Sequence, residues 1–577
     1  MTEFAVWAPE AGRVRLRLAD GPDREMTGDG DGWWRATVAG AGPGTDYWFL
    51  LDDDDRPLPD PRSAWQPAGV HGPSRVYDHG AFAWTDQGWT GRQLPGSVLY
   101  ELHVGTFTPG GTFDSAIERL DHLVELGVDL VELLPVNAFN GAHNWGYDGV
   151  CWFAPHEAYG GPDGLKRFVD AAHGRGLGVV LDVVYNHFGP SGAYAPLFGP
   201  YLADGSNAWG RSVNLDGPHS DEVRRYVVDS VLAWLRDYHV DGLRLDAVHA
   251  LVDRRAVPLL EELAVEVENL STHLGRPLSL IAESDLNDPR LITPREAGGL
   301  GLDAQWNDDA HHALHTLLTG ERQGYYADFG SMQCLSDVLT GAFFHAGTWS
   351  SFRGRTHGRP VDRQRTAGHR FVAYLQNHDQ IGNRARGDRI SATLSPGLLR
   401  VGATLLLTAP FTPMLFMGEE WGASTPWQFF TSHPEPELAS AVADGRRREF
   451  AAHGWPPGEV PDPQDPETFV RSRLDWAERD RPGHRETLDF YRRLIALRKR
   501  RPELSDPRLD RVEVSHGDHF VLVRRGRCLV AANLAGKPQR ITVPDVVRSV
   551  LLATGDGVTV MRDGLELPAE SAAVVAV

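Results

Sequence analysis

Asp246 closes the run Asp241-Gly242-Leu243-Arg244-Leu245-Asp246, and Glu283 closes Leu278-Ser279-Leu280-Ile281-Ala282-Glu283. Each is an apolar segment of strand length that ends on a carboxylate. A third, Phe371-Val372-Ala373-Tyr374-Leu375, runs into Gln376-Asn377-His378-Asp379. Burying an ionised carboxylate is unfavourable unless it is paired or hydrogen-bonded. Any one of these acids alone reads as a helix cap or an ion pair; the three strand-end positions together point to chemistry. In a closed parallel barrel the C-terminal strand ends converge on the mouth where such barrels react. Two carboxyl groups facing each other across a sugar are the equipment of a glycosidase.

Cleaving an acetal with retention needs a nucleophilic carboxylate and a protonated carboxylic acid about 5–5.5 Å apart. Asp246 suits the nucleophile, because Arg244 stands two residues away on the same strand face. A guanidinium there keeps the carboxylate ionised and oriented. Glu283 ends an apolar run and suits the acid/base, since burial raises a carboxyl pKa toward the working pH. Asp379 is placed to grip sugar hydroxyls more tightly as the ring flattens in the transition state. His143, His187, His249 and His378 fall in or near the same loops, and the last three read as hydroxyl donors. No His-x-x-x-His pair has a further ligand partner, so neither a catalytic metal nor any other cofactor is expected.

Positioning these groups requires a scaffold. From about residue 95 strands alternate with amphipathic helices. Eight strand candidates stand out: Val98–Val104, Leu130–Leu134, Gly178–Val184, Gly242–Leu245, Leu278–Ala282, Leu302–Trp306, Phe371–Leu375 and Pro413–Phe416. Helical patterns separate them, among them Ala116–Leu126 and Glu222–Tyr238, and Glu486–Lys499 reads as the eighth helix. The expected fold class is α/β, a (β/α)8 TIM barrel over residues 91–505 with a small loop subdomain at about 188–219. Residues 1–90, with short alternating runs and Gly/Pro/Asp turns, read as a β-sandwich. Residues 506–577 return to β texture and read as a small C-terminal β-sandwich. Pro434–Pro466, rich in Pro and Glu, reads as a long surface excursion.

Composition excludes several classes. The 577 residues carry 78 acidic against 57 basic side chains, a net charge of −21. That argues against a nucleic-acid partner, which needs a basic face, and against an anionic membrane surface. No apolar stretch approaches the ~20 residues of a membrane span. Cys151, Cys334 and Cys528 form neither a metal spacing nor a disulfide framework, and no signal peptide is recognisable, so a cytoplasmic location is expected.

At these residues the sequence resembles the α-amylase superfamily, glycoside hydrolase family thirteen. Asp182–His187, Gly242–His249, Ala282-Glu283-Ser284 and Asn377-His378-Asp379 match its four conserved regions in order. Within it, Leu134–Phe139, Asn144–Gly149, Asp303–Tyr326, Leu375–Asn383 and Phe416–Phe430 resemble the trehalohydrolases that act on maltooligosyltrehalose. The resemblance implies hydrolysis of the α-1,4 bond next to a terminal trehalose, with Asp246 as nucleophile, Glu283 as acid/base and Asp379 as transition-state stabiliser. It implies that Arg244 and His187 line the subsite of the reacting glucose, with Tyr147 stacking on its face. His249, Asp308, Asp309, Ala310, His311, His312, His378, Gln380 and Asn383 would contact the sugars around the cut. Asn186 stands where relatives hold calcium, but the rest of that shell is not recognisable and no calcium is expected.

A glucan branching enzyme and a generic α-1,4-glucan hydrolase are the rival readings. Asn377 before His378, where branching enzymes typically carry Ser, favours hydrolysis, and Val248 before His249, where many α-amylases carry Lys, counts against endo-hydrolysis of starch. A non-enzymatic glucan-binding protein would be expected to have lost at least one of the three acids.

Overall fold

A computed structural model describes residues 1–452 and 459–577. Its centre is a closed barrel of parallel strands in sequential order: Leu99–Leu102, Leu130–Leu133, Gly178–Val183, Gly242–Leu245, Ser279–Ala282, Ala304–Trp306, Phe371–Tyr374 and Thr412–Phe416. All eight coincide with the apolar runs of the sequence, as expected of strands covered on both faces. Helices Gly161–His173, Ser220–Asp237, Leu259–Leu274, Asp308–Thr319, Pro396–Leu407 and His484–Arg500 lie among the connections.

The interior is layered. Leu99, Leu130, Val180, Ile281, Ala304, Val372 and Met414 form one apolar cluster inside the barrel. Two residues further along their strands, on the same face, stand Glu101, Glu132 and Asp182, and Arg244 lies in register with Asp182. The barrel thus carries a charged layer directly beneath its mouth.

Three expectations need correction. The run 116–126 is not one helix: Phe113–Ile117, capped by Thr112 and Ser115, stops before Leu120–Leu126, with Arg119 at the second N-cap. Among the described residues, only 3-10 turns (Pro289–Leu291 and Arg295–Ala297) join the fifth and sixth strands, because Pro289, Pro294, Gly298, Gly299 and Gly301 deny an α-helix. The excursion 434–466 contains the helix Pro436–Ala452, which buries Ala443 and Phe450; residues 453–458 of it lie outside the described residues. Apart from these corrections, residues 188–219, where a small loop subdomain is expected, hold a short helix, Ala195–Phe198, and an antiparallel hairpin, Leu202–Asn207 with Gly210–Val213.

Before the barrel, a three-stranded and a four-stranded sheet face each other, and Phe4 of one meets Tyr47 of the other edge-on at 4.9 Å. After it, a five-stranded and a three-stranded sheet enclose Leu522, Leu529, Ile541, Leu565 and Val575. Among the described residues no helix is long and apolar enough to cross a membrane.

Candidate active site

Asp246 follows the fourth strand and Glu283 the fifth, and backbone bonds lock the two turns together. Glu283 N–H donates to Leu245 O at 2.9 Å, and Val248 N–H donates to Glu283 O at 3.0 Å. Between them Ala247 adopts a left-handed conformation, φ 43°, uncommon for a residue with a Cβ. That turn aims its N–H at Glu283 Oε2, 2.6 Å away.

Arg244 organises the carboxylates from below. It is 0 % exposed, and its planar fork suits carboxylate pairs. Nη1 donates to Asp246 Oδ1 at 2.7 Å and to Asp182 at 2.8 and 2.9 Å, while Nη2 lies 3.7 Å from Glu283 Oε2. Its guanidinium stacks 4.3 Å over the Trp306 ring. Arg244 therefore supports the Asp246 and Glu283 carboxylates from beneath the site wall. Asn186 holds the other oxygen of Asp246, donating from Nδ2 to Oδ2 at 2.8 Å, and its own Oδ1 faces His187 Nδ1. Among the described residues no cluster of three His, Cys, Asp or Glu side chains is arranged to hold a metal ion.

The surroundings of the two acids differ, as the two roles in a retaining glycosidase require. Burial pushes the Glu283 carboxyl up; Arg244 pulls it back, Asp246, Asp379 and Asp308 add to the rise, and it reaches about 8. Glu283 is thus a proton-bearing acid at neutral pH, whereas Asp246 accepts N–H bonds on both oxygens. Burial also raises Asp182, and Arg244 opposes it.

Asp379 follows the seventh strand with its side chain 43 % exposed, 3.6 Å from His378 Nε2. Asn383 Nδ2 approaches its Oδ1 at 3.4 Å. Tyr147 lies flat against His378, ring centroids 5.1 Å apart, which leaves only its other face to a sugar. Its hydroxyl donates to Asp182 at 2.5 Å and lies 2.7 Å from His378 Nε2. Gln380 reaches Asp308 Oδ1 at 3.3 Å, and His249 has its Nε2 4.0 Å from Asp285 Oδ1. A cleft beside them is lined by Asp285, Asp308, His312, Tyr325, Phe352 and Arg353.

Other expected contacts are displaced. His311 is 1 % exposed and packs behind His312 against His315 and Tyr374, so it does not reach the cleft. Neighbours on a helix point about 100° apart, and only His312 faces the cleft. Asp309 borders the cleft, but its carboxylate accepts N–H bonds from Phe344, His345 and Asn287 and so anchors a loop; Ala310 is buried. Both nitrogens of His187 face protein oxygens, Asn186 Oδ1 and Tyr147 O, so it supports the wall. His143 stacks on Phe469 at 4.5 Å, outside the carboxylate cluster.

Two neighbours of the site were not legible in the sequence. Glu101, on the first strand, accepts from His378 N–H at 3.0 Å and Nδ1 at 2.5 Å. Arg446, on the helix within the supposed excursion, donates to Asn383 Oδ1 at 3.1 Å and packs on Phe429 and Phe450.

Comparison with known proteins adds to this geometry. Residues 22–195 match a family model described as the α-amylase catalytic domain, and residues 507–574 match a domain of unknown function, DUF3459. The chain is 58 % identical to a malto-oligosyltrehalose trehalohydrolase of Rhizobium sp. (strain M-11), covering 99 % of this chain and 97 % of that one. It is 55 % identical to one of Mycobacterium tuberculosis over 94 % of each. Among solved structures, one described as a putative α-amylase from Salmonella typhimurium superimposes with a TM-score of 0.91 at 41 % identity, covering 100 % of this chain and 97 % of that chain.

Proposed function

This chain belongs to the malto-oligosyltrehalose trehalohydrolases, and on that premise we propose that it hydrolyses, with retention, the α-1,4-glucosidic bond next to the terminal trehalose of maltooligosyltrehalose, releasing trehalose and a maltooligosaccharide. The observation that carries the chemistry is the pair Asp246 and Glu283, both within 3.7 Å of one buried guanidinium, Asp246 holding an N–H donor on each oxygen and Glu283 with its carboxyl pushed up by burial.

In this reading Glu283 gives its proton to the glycosidic oxygen as the bond to the leaving trehalose breaks. Asp246 Oδ attacks the anomeric carbon from the opposite face, forming a glycosyl-enzyme ester. Glu283, now ionised, takes a proton from water, which attacks the same carbon and releases the maltooligosaccharide with retained configuration. Asp379 holds hydroxyls of the reacting glucose, with Tyr147 against its face. His249, Asp308, His312, Gln380 and Asn383 serve the sugars around the cut. Residues 1–90 and 506–577 are read as β-sandwich domains flanking a catalytic domain of 91–505.

Incubation with maltotriosyltrehalose tests the proposal. Free trehalose and maltotriose are expected in equal amounts. Maltooligosaccharides without free trehalose would leave a generic α-1,4-glucan hydrolase, and branch formation on amylose would indicate a branching enzyme.

A further inference from the structure

Glu101 and Glu132 stand opposite each other on the first two barrel strands, both buried. Their surroundings differ. Glu101 accepts two N–H bonds from His378. Among the described residues none hydrogen-bonds either oxygen of Glu132. Two adjacent carboxylates in a dry interior do not both ionise, and the one with donors keeps its charge.

Proton counting then fixes His378. The Tyr147 hydroxyl has one proton and two neighbours, Asp182 Oδ2 and His378 Nε2. Arg244 donates to both oxygens of Asp182 and opposes the rise that burial gives its carboxyl, and the Tyr147 hydroxyl donates its one proton to Asp182 Oδ2. The remaining Tyr147 lone pair faces Nε2, which must carry hydrogen. Nδ1 faces Glu101 Oε1 and must carry hydrogen too.

We propose that Glu101 is a positioning residue of this site: ionised, it holds His378 as an imidazolium beneath Tyr147, while its neighbour Glu132 carries a proton and stays neutral. The part this plays in turnover rests on the reading of Asp246, Glu283 and Asp379 as the reacting groups. An imidazolium there fixes the turn that carries Asp379 and polarises the Tyr147 hydroxyl. The charged and titratable groups facing His378 are Glu101 and Glu132, Asp182 and Arg244 of the third and fourth strands, Tyr147, His103 and its own neighbour Asp379. Burial opposes the imidazolium, but Asp379 and Glu101 outweigh burial and Arg244, and His378 rises to about 9. Burial raises Glu132 well above the carboxylate range, and Glu101 and Asp182 add to the rise.

The test uses the full chain with nitrogen-15-labelled histidine, His378→Asn assigning the resonances. Both His378 nitrogens are expected protonated at neutral pH, with loss only near about 9. In Glu101→Gln the imidazolium should deprotonate at lower pH. Its kcat/KM at neutral pH should fall about ten- to a hundredfold, mostly in kcat, as expected for a lost charged hydrogen bond, and recover toward acid pH. Glu132→Gln should leave the histidine resonances and the pH profile in place and remove one protonated-carboxyl infrared band, distinct from the band that Glu283→Gln removes. A neutral His378 at neutral pH, or a Glu132→Gln variant that loses the imidazolium, would overturn the assignment. If Glu101→Gln does not fold, the unsubstituted protein and Glu132→Gln decide alone. Full turnover in Glu283→Gln would instead sink the catalytic reading and leave the resonance result standing.

Discussion

The backbone N–H of Ala247 donates to Glu283 Oε2 at 2.6 Å. Ala247 directly follows Asp246, so the turn that presents one carboxylate also orients the other. An N–H donor at Oε2 makes that atom the acceptor of the neutral acid, which places the acid proton on Oε1. The left-handed backbone at Ala247, φ 43°, is strain stored where it directs a donor at a reacting group.

Replacing Glu283 by Gln keeps the acceptor for Ala247 and removes the transferable proton. Glu283→Gln is expected to fold normally and lose several orders of magnitude in kcat/KM. Its stability should differ from the parent in a pH-dependent way. The Glu283 pKa is about 8 in the folded chain against the 4.5 of an ordinary glutamate. The parent therefore loses stability progressively as pH rises from the lower value to the higher. The Gln variant lacks that loss, so its relative stability should grow over the same window by an amount on the order of a few kcal/mol. Denaturant melts at several pH values measure it; a constant difference would refute the raised pKa.

The same acid sets the rate profile. Only protonated Glu283 can act as the acid, so kcat/KM should hold level on the acid side of about 8 and decline tenfold per pH unit above it. A basic limb near the ordinary carboxyl range would show that Glu283 is not the proton donor.

Much of this was legible in the sequence, for a physical reason. Strands buried on both faces read as continuous apolar runs, and a carboxylate closing such a run is conspicuous, which exposed Asp246 and Glu283. Glu101 and Glu132 sit inside their runs, where a single acid looks like ordinary alternation; only barrel closure turns both inward. Arg446 was hidden differently. Its helix lies between prolines in a polar segment, and its contact with Asn383 spans |i−j| = 63. The motif around Asp308–His312 marked the right helix but could not say which of two adjacent histidines faces the cleft.

Arg244 supports Asp182, Asp246 and, at longer range, Glu283 from one guanidinium. Removing it with Arg244→Met leaves two buried carboxylates facing each other. The expected cost is about 3–5 kcal/mol of folding stability, as when one partner of a buried ion pair is lost. Arg244→Lys keeps the charge but loses the planar group that stacks on Trp306 and reaches Asp182 and Asp246 together, so it should fold better and still lose about a hundredfold or more in kcat/KM. Thermal melts and kinetics on both variants check this. A fully active Arg244→Lys would show that charge alone, without the planar guanidinium, sets the nucleophile.

The cleft beside Glu283 should distinguish a trehalose end from a linear one. Asp285 and Arg353, 2.9 Å apart, share it with Asp308, His312, Tyr325 and Phe352. Polar groups shaped to the bent disaccharide would be left without partners by a maltose end, and each such loss costs about 1–3 kcal/mol. One or two losses correspond to about a ten- to thousandfold preference in kcat/KM. Maltotriosyltrehalose and maltopentaose have equal numbers of glucose units, so comparing them isolates the end group from chain length. Because both present the same α-1,4 bond to Asp246 and Glu283, a real preference must come from the leaving-group side and should shrink when Arg353 is replaced by Ala. Equal kcat/KM values for the two substrates would break the trehalohydrolase reading while leaving the retaining chemistry of the carboxylate pair in place.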